Sequence, residues 1–502
     1  MKKNNLVIVS NRLPIVVDKT GNGRWLIQSG TGGLVTALAP VLRNRGGIWI
    51  GWSGYAGPDD VRLNERIKGK SREVGYDLIS INLSPEEKEK YYRGFANEVL
   101  WPLFHDFISY CNFDPEYWSA YQKVCDKFAR ITAQSVNEGD LIWIHDYHLI
   151  GVVPILRALN IRNKIAFFLH IPFPPPDVYV HLPWRFEILN FLLQYDIIGF
   201  QTARDRLNFY QCIRMFMGDL RGMGKSQVSN LAYQDREIRI GTFPVSIDFK
   251  SFAGTAASEQ VRQKAAAIRE NYPNQKIVLG IDRMDYTKGI PERLKAFRNA
   301  LRRFPELRGK LTLIQFVVPS RRKIDRYESL KAEIEGLVGE ISGEFTQTDW
   351  VPIHYFFKSL DRPDLVAYYL ASDIALVTSL KDGMNLIAKE FCASQINNDG
   401  ILILSEFAGA AGQFKKGALL TNPHDFDGTA EALLRAFEMP EDIRKEQMST
   451  LRDNVRRYDI FWWVNSYLEA AFAKNLDNFP VMDDYVPLAE DGNGNSRSAA
   501  LK

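Results

Sequence analysis

From Asp140 onward, short apolar runs alternate with stretches long enough for a helix: Leu141-Ile-Trp-Ile144, Ile165-Ala-Phe-Phe-Leu169 and Ile197-Ile-Gly-Phe200. Runs of this length, spaced this way, predict parallel strands crossed by helices. The rhythm begins again after Phe243-Pro-Val-Ser-Ile-Asp248, with Ile277-Val-Leu-Gly-Ile281, Leu311-Thr-Leu-Ile-Gln-Phe-Val-Val318, Ile374-Ala-Leu-Val-Thr-Ser379 and Ile401-Leu-Ile-Leu404. The repetition predicts an α/β chain of two Rossmann-like domains, and 502 residues with 46% hydrophobic content suffice for two cores. The expected divisions are 1–245, 246–457, a helical segment 458–475 and a tail 476–502, whose Gly492-Asn-Gly-Asn-Ser496 predicts disorder.

In open sheets of this kind chemistry sits at the carboxyl ends of the strands, and here those ends are polar. His145-Asp146, His170 and Gln201-Thr202 follow the strands of the first run; Arg283, Arg321, Asp382 and Ser405 follow those of the second. Lys381-Asp-Gly-Met-Asn-Leu-Ile-Ala-Lys-Glu390 leads into a helix expected to start near Gly383. The backbone N–H groups of Gly383, Met384, Asn385 and Leu386 would then seat an anion, a phosphate or pyrophosphate being the natural guest. Asp382 would repel that anion, so it has a purpose there only if it faces hydroxyl groups, such as those of a sugar; the plain alternative is a helix cap. Glu390 lies about two turns further on, near ribose reach. Arg283 and Lys288, five residues apart around a strand-to-helix turn, could neutralise a pyrophosphate as its charge develops, the alternative being two solvated cations.

Upstream, Leu6-Val-Ile-Val-Ser10 and Ile48-Trp-Ile-Gly-Trp52 read as strands. Gly21-Asn-Gly23 reads as the turn of a strand pair, Ile15-Val-Val to Trp25-Leu-Ile, and Gly33 as a helix start with the same task as Gly383. Ser84-Pro-Glu-Glu87 combines a Ser N-cap, Pro at the first helical position and Glu at the third, a capping box that opens a long helix. In that helix Tyr92 and Trp101 are nine residues apart. That is about two and a half α-helical turns, which puts them on opposite sides unless the helix breaks.

The formal charge of +3, from 63 basic and 60 acidic residues, supplies no field for nucleic acid or an anionic membrane, and no apolar run approaches a membrane span. Cys111, Cys125, Cys212 and Cys392 lack CxxC spacing, which predicts buried thiols in a reducing compartment, the cytoplasm by default. No metal and no cofactor is expected. Asp425-Phe-Asp427 imitates a metal-binding pair, but Asp427-Gly-Thr-Ala-Glu reads as a helix N-cap and first turn. Gly218-Asp-Leu-Arg-Gly-Met-Gly-Lys-Ser226 misses P-loop spacing by one residue and follows a helical pattern instead of a strand.

Asp382-Gly-Met-Asn-Leu-Ile-Ala-Lys-Glu390, with Arg283-Met-Asp-Tyr-Thr-Lys288 upstream, resembles the nucleotide-sugar site of the trehalose-6-phosphate synthase family. Ser10-Asn-Arg-Leu-Pro14, Trp143-Ile-His-Asp-Tyr-His148, His170-Ile-Pro-Phe-Pro174 and Gly199-Phe-Gln-Thr202 agree with that family in order, and the likeness runs from about Leu6 to about Tyr467. It implies the GT-B architecture: two Rossmann-like domains facing across a cleft, acceptor half N-terminal and donor half C-terminal, with the 458–475 helix packed back on the N-terminal half. It further implies retaining transfer of glucose from a nucleoside diphosphate glucose, UDP-glucose foremost, to glucose 6-phosphate, giving trehalose 6-phosphate.

On the same likeness Gly33, His170, Arg283, Lys288, Asp382, Gly383, Met384, Asn385, Leu386 and Glu390 bind the donor, while Arg12, Tyr92, Trp101, Asp146 and Arg321 bind the acceptor. Arg283, Lys288, Asp146 and His170 serve the reaction, His170 through its ring or its backbone carbonyl. No nucleophile–base pair is visible, which suits a reaction in which the leaving phosphate takes the acceptor's proton and the protein positions and stabilises charge. The partners implied are a nucleoside diphosphate glucose and a sugar or polyol phosphate; a homo-oligomer stays open. One rival is the glycerol 3-phosphate acceptor of glucosylglycerol-phosphate synthases, whose branch His181-Leu-Pro-Trp-Arg185 resembles. The other is a non-catalytic nucleotide-sugar sensor, which would keep the donor residues and lose the acceptor ones.

Overall fold

The structure, a computed structural model, describes all residues except 1–4, 20–23, 31–32, 59, 219, 223, 225, 320–324, 477, 481–483 and 486–502. Most of the 476–502 tail, and the turn expected at Gly21–Gly23, therefore lie outside the described residues. The chain forms two compact units, Met1–Ile247 with Ile460–Met482, and Asp248–Asp459 with Asp483–Lys502.

The strands of the first unit are β1 (Leu6–Arg12), β2 (Ile15–Lys19), β3 (Trp25–Ser29), β4 (Gly47–Ala56), β5 (Asp77–Leu83), β6 (Leu141–His145), β7 (Ile165–Phe168), β8 (Ile197–Phe200), β9 (Leu220–Arg221), β10 (Val228–Tyr233) and β11 (Arg236–Thr242). Nine of them form one sheet, ordered β5-β4-β1-β6-β7-β8-β11-β10-β9 and parallel up to β11. β10 and β9 close that edge antiparallel, and β2 pairs antiparallel with β3. β6, β7 and β8 are buried at every position, as continuous apolar strands must be when helices cover both faces.

Helix Ile460–Phe472 packs on this sheet although the residues that lead into it, up to Asp459, belong to the other unit. The Tyr467 ring stacks on Trp143 at 4.3 Å, and its hydroxyl donates to the Phe167 carbonyl at 2.8 Å. Trp463 Nε1 donates to the Phe243 carbonyl at 3.1 Å. Two large aromatic side chains thus bury their rings and still satisfy their polar atoms, which anchors the helix.

The second unit carries β12 (Lys276–Arg283), β13 (Leu311–Val318), β14 (Ile353–Phe356), β15 (Ile374–Val377), β16 (Ile401–Ser405) and β17 (Leu419–Thr421), all parallel in the order β14-β13-β12-β15-β16-β17. Its core includes Val278, Leu313, Leu376 and Ile403 from the strands and Phe297 and Ile334 from helices Ile290–Arg303 and Asp325–Phe345. Among the described residues no helix is long and apolar enough to cross a membrane.

The Ser84 capping box is present: Ser84 Oγ accepts from the Glu87 N–H at 3.1 Å, and Glu87 Oε2 from the Ser84 N–H at 2.8 Å. The segment beyond the box differs from the α-helix the sequence predicts. Lys88–Leu100 is a π-helix, and the Trp101 N–H bonds back to the Ala96 carbonyl, five residues away. The wider turn makes nine residues about two full turns, so Tyr92 and Trp101 fall on the same side without a break. The Asn97 side chain also donates to the Tyr92 carbonyl inside this stretch.

Candidate active site

In the second unit, β12 ends on the exposed Arg283. Asp285 then caps a single 3-10 turn, Tyr286–Lys288, its Oδ1 accepting from the Thr287 N–H and hydroxyl at 3.1 Å each. Gly289 comes next in the left-handed region, φ 61°, where a Cβ would lie 2.1 Å from the Thr378 carbonyl oxygen. Only glycine lets the β12 loop approach the end of β15 this closely. The approach delivers Lys288 Nζ to Asp382 Oδ2 at 2.6 Å, both side chains being nearly buried. Asp382 Oδ2 also accepts from Asn385 Nδ2 at 3.1 Å and Ser379 Oγ at 3.3 Å.

The helix after Asp382 starts later than expected, at Leu386, and its cap is Asn385 instead of Asp382. Asn385 sits at φ 76° and accepts from the Ala388 N–H at 3.0 Å, a backbone position its short amide tolerates better than most side chains. Gly383 and Met384 belong to the loop before the helix. That loop is clamped by Gly409 N–H to the Asp382 carbonyl at 3.1 Å and Ala410 N–H to the Met384 carbonyl at 2.9 Å. Glu390 is on the helix, with Oε2 accepting from the Tyr369 hydroxyl at 2.8 Å; burial pushes its carboxyl up to about 7 against the opposing pull of that hydrogen bond and of Arg362.

Beneath these groups Arg293, fully buried, bonds Asp282 Oδ2 at 2.6 Å, Gln315 Oε1 at 3.1 Å and Thr378 Oγ1 at 3.2 Å. Thr378 in turn donates to the Gly289 carbonyl at 2.9 Å. A charge that deep is tolerated only when paired and hydrogen-bonded throughout, so the network ties β12, β13, β15 and the Lys288 loop into one piece. Arg293 stands in the first turn of helix Ile290–Arg303, with no local sequence signal distinguishing it from a solvated arginine.

In the first unit the Arg12 guanidinium lies 4.8 Å over the Trp52 ring. It rests against Gly54, φ 97°, where a Cβ would come 2.4 Å from its central carbon. Tyr92 meets Trp52 edge-on at 5.7 Å and stacks on His148 at 6.0 Å; His148 is 3.9 Å from Tyr147, and Tyr147 is 5.9 Å from Trp101. One row of rings therefore joins Arg12, Tyr92 and Trp101. Asp146 adjoins the row, 3.8 Å from His148, at an unusual φ of 74°. Its Oδ1 accepts from the His170 N–H at 3.2 Å. The His170 carbonyl, which the sequence left as one way of meeting a sugar, already accepts from Gln201 Nε2 at 3.3 Å.

Of the remaining expected residues, Gly33 begins helix Gly33–Arg45, and Arg321 lies outside the described residues. Trp52, Tyr147 and His148 are part of the row though the sequence alone assigned them no role; Trp52 closes an apolar run at Ile48–Trp52, a strand-end signal that was available. Trp184 of His181–Arg185 stacks on Trp118 at 5.3 Å and meets Phe95 at 5.5 Å, a packing role. Asp425 caps helix Phe426–Glu438, correcting the cap expected at Asp427, whose carboxylate instead pairs with Arg303 at 3.0 Å. Among the described residues no three His, Cys, Asp or Glu side chains gather as metal ligands.

The profile of glycosyltransferase family 20 matches residues 4–472. The chain belongs to glycosyltransferase family 20, the trehalose-6-phosphate synthase family. It is 38% identical over 475 residues to the trehalose-6-phosphate synthase of Mycolicibacterium vanbaalenii, covering 94% of this chain and 96% of that one. It is 39% identical to the bifunctional trehalose-6-phosphate synthase/phosphatase of Thermoproteus tenax, where 92% of this chain spans 63% of the larger protein. Two solved family members superpose closely. The E. coli protein bound with UDP-2-fluoro glucose has a TM-score of 0.84 at 34% identity, over 93% of this chain and 99% of that one. The Burkholderia xenovorans alpha,alpha-trehalose-phosphate synthase (UDP-forming) in complex with glucose-6-phosphate has 0.83 at 31%, over 93% and 100%. This family member is thus an α/β glycosyltransferase of the GT-B class.

Proposed function

We propose that the chain transfers glucose, with retained configuration, from UDP-glucose to glucose 6-phosphate and forms trehalose 6-phosphate. The observation that carries this reading is the Lys288–Asp382 pair beside Arg283 at the ends of adjacent parallel strands. One carboxylate and two cations together suit a ligand that carries both hydroxyl groups and a diphosphate. On this reading Arg283 and Lys288 meet the diphosphate, and Asp382 accepts from sugar hydroxyls. Gly383, Met384, Asn385 and Leu386 meet the same diphosphate, Gly33 also contacts the donor, and Glu390 takes the ribose.

Arg283 and Lys288 contribute to the rate because the charge on the leaving diphosphate grows as the glycosidic bond breaks, so their attraction is greater in the transition state than before it. The leaving phosphate oxygen takes the acceptor hydroxyl's proton, and the protein holds the two reactants in contact. Asp146 and His170, joined through the His170 N–H, orient the sugars. Arg12, Tyr92, Trp101 and Arg321 take the acceptor phosphate, the arginines by forked hydrogen bonds. The ligands of the E. coli and Burkholderia proteins support these two substrate classes.

The test crosses UDP-, GDP- and ADP-glucose with glucose 6-phosphate, glycerol 3-phosphate and glucose, reading nucleotide release. The expected outcome is release with UDP-glucose and glucose 6-phosphate well above every other pair. Equal rates with glucose and glucose 6-phosphate would reject the phosphate-reading site; release only with glycerol 3-phosphate would transfer the chain to the rival acceptor; no release with any pair would leave a nucleotide-sugar binder.

A further inference from the structure

His145 closes β6 and is fully buried. Its Nδ1 lies 3.1 Å from Nε2 of His170, the residue given a sugar-orienting role above. Its other nitrogen, Nε2, is buried with no hydrogen-bond partner among the described residues. Around it are rings: Trp143 at 4.7 Å and Trp463 at 6.5 Å, with Phe168 and Trp463 also against His170.

Two neutral imidazoles sharing one hydrogen bond admit two proton arrangements. If His145 carried its proton on Nε2, a buried N–H would point among aromatic rings with no acceptor, and orphaned buried N–H groups are the rarer and costlier defect. If it carries the proton on Nδ1, the buried Nε2 is only an unused lone pair, and Nδ1–H donates to His170 Nε2. His170 must then hold its own proton on Nδ1, since each neutral ring has one. We infer that His145 is a positioning residue that locks His170 in the Nδ1–H tautomer, so that His170 offers substrate a hydrogen-bond donor and cannot act as a proton acceptor there.

The backbone supports the same restriction. The His170 main chain is held at its N–H by Asp146 and at its carbonyl by Gln201, which fixes where the ring stands, and turning the ring to exchange one nitrogen for the other would break the His145 bond. Burial pushes both imidazoles down, His170 to about 3, which keeps the pair neutral. A donor at this place recognises an oxygen lone pair, as on a sugar hydroxyl.

The inference rests on the proposed sugar-orienting role only for its kinetic consequence, and two measurements separate the two claims. Long-range proton–nitrogen correlation NMR on histidine-labelled enzyme, with His170 assigned by its absence in His170→Gln, is expected to show a protonated Nδ1 and a bare Nε2. The reverse pattern overturns the inference whatever the enzyme's activity. In kinetics, His145→Asn supplies an N–H near the place of Nδ1 and His145→Asp an acceptor of the same size. The Asp variant is expected to lose at least tenfold more kcat/KM for the sugar nucleotide than the Asn variant, with the acceptor KM little changed. Equal losses would mean that His145 only fills space. Should the NMR pattern hold while His170→Gln leaves the KM for the sugar nucleotide unchanged, the sugar-orienting role fails and the tautomer assignment stands.

Discussion

In the second unit the charged groups at the strand ends are held by other charges: Lys288 on Asp382, and beneath them Arg293 on Asp282. In the first unit the corresponding cation, Arg12, rests on an indole face and a glycine, in a row of rings carried by a π-helix and by an aspartate at positive φ. One region therefore stores its organisation in a buried ion network, which is rigid and intolerant of losing a partner. The other stores it in backbone geometry and aromatic contact, where a cation over a ring is worth only about 0.5–1 kcal/mol at an exposed site. Mutations should accordingly harm the second region through stability as well as rate, and the first through binding alone.

The largest expected effect tests the ion network. Arg293→Ala should cost about 3–5 kcal/mol of unfolding free energy, because Asp282 is left buried and unpaired; denaturant titration measures it. A loss near zero would show that the second region does not depend on its buried charges, and the contrast would collapse.

Next come the cations at the strand ends of that region. Arg283→Ala and Lys288→Ala should each lower kcat/KM by about a hundredfold or more, on the order of 3 kcal/mol, with the fold intact by circular dichroism. Near-normal rates in folded variants would remove the diphosphate assignment.

Arg12→Ala sharpens the other side of the comparison. It should leave stability almost unchanged while raising the acceptor KM by about ten- to a hundredfold, the worth of a charged hydrogen bond to phosphate. A drop in melting temperature as large as that of Arg293→Ala would make the two regions alike.

The smallest effect concerns pH. Glu390, raised by burial to about 7, is the stronger acceptor for a ribose hydroxyl when ionised, so donor affinity should fall by up to about tenfold as pH drops from about 8 to about 6. The stability sign is opposite: the folded state holds the proton more tightly than the unfolded one, so Glu390 favours folding at low pH and this contribution is lost as pH rises through about 7. In Glu390→Gln both dependences should flatten; a donor KM that keeps its slope in that variant would assign the titration elsewhere.

Much of the second region could be read from the chain because its residues sit on strand ends that apolar runs mark. Ser379 and Asp382 follow Ile374–Val377, and Arg283 closes Lys276–Arg283. The start of the helix at Leu386 could not be read, since Asn385 takes a left-handed conformation that composition does not announce. In the first region 3.6 residues per turn puts Tyr92 and Trp101 on opposite sides; the π-helix realigns them. Trp52 and His148 went unassigned because an aromatic residue at a strand end reads as core until its neighbours are known.

By itself, then, the sequence determined the two parallel sheets, the capping box at Ser84 and the strand ends that carry polar residues. These follow from periodicity and turn chemistry, which act over a few residues. Only the tertiary structure decided that Lys288 meets Asp382 across ninety-four positions and that Arg293 is buried beneath them. It also decided that His145 and His170 share one hydrogen bond. The physical reason is register: β12 beside β15, with Val278 opposite Ile374, and β6 beside β7, with His145 opposite Phe168, fix which loops meet. The packing of whole sheets sets that register, and no local pattern in the chain encodes it.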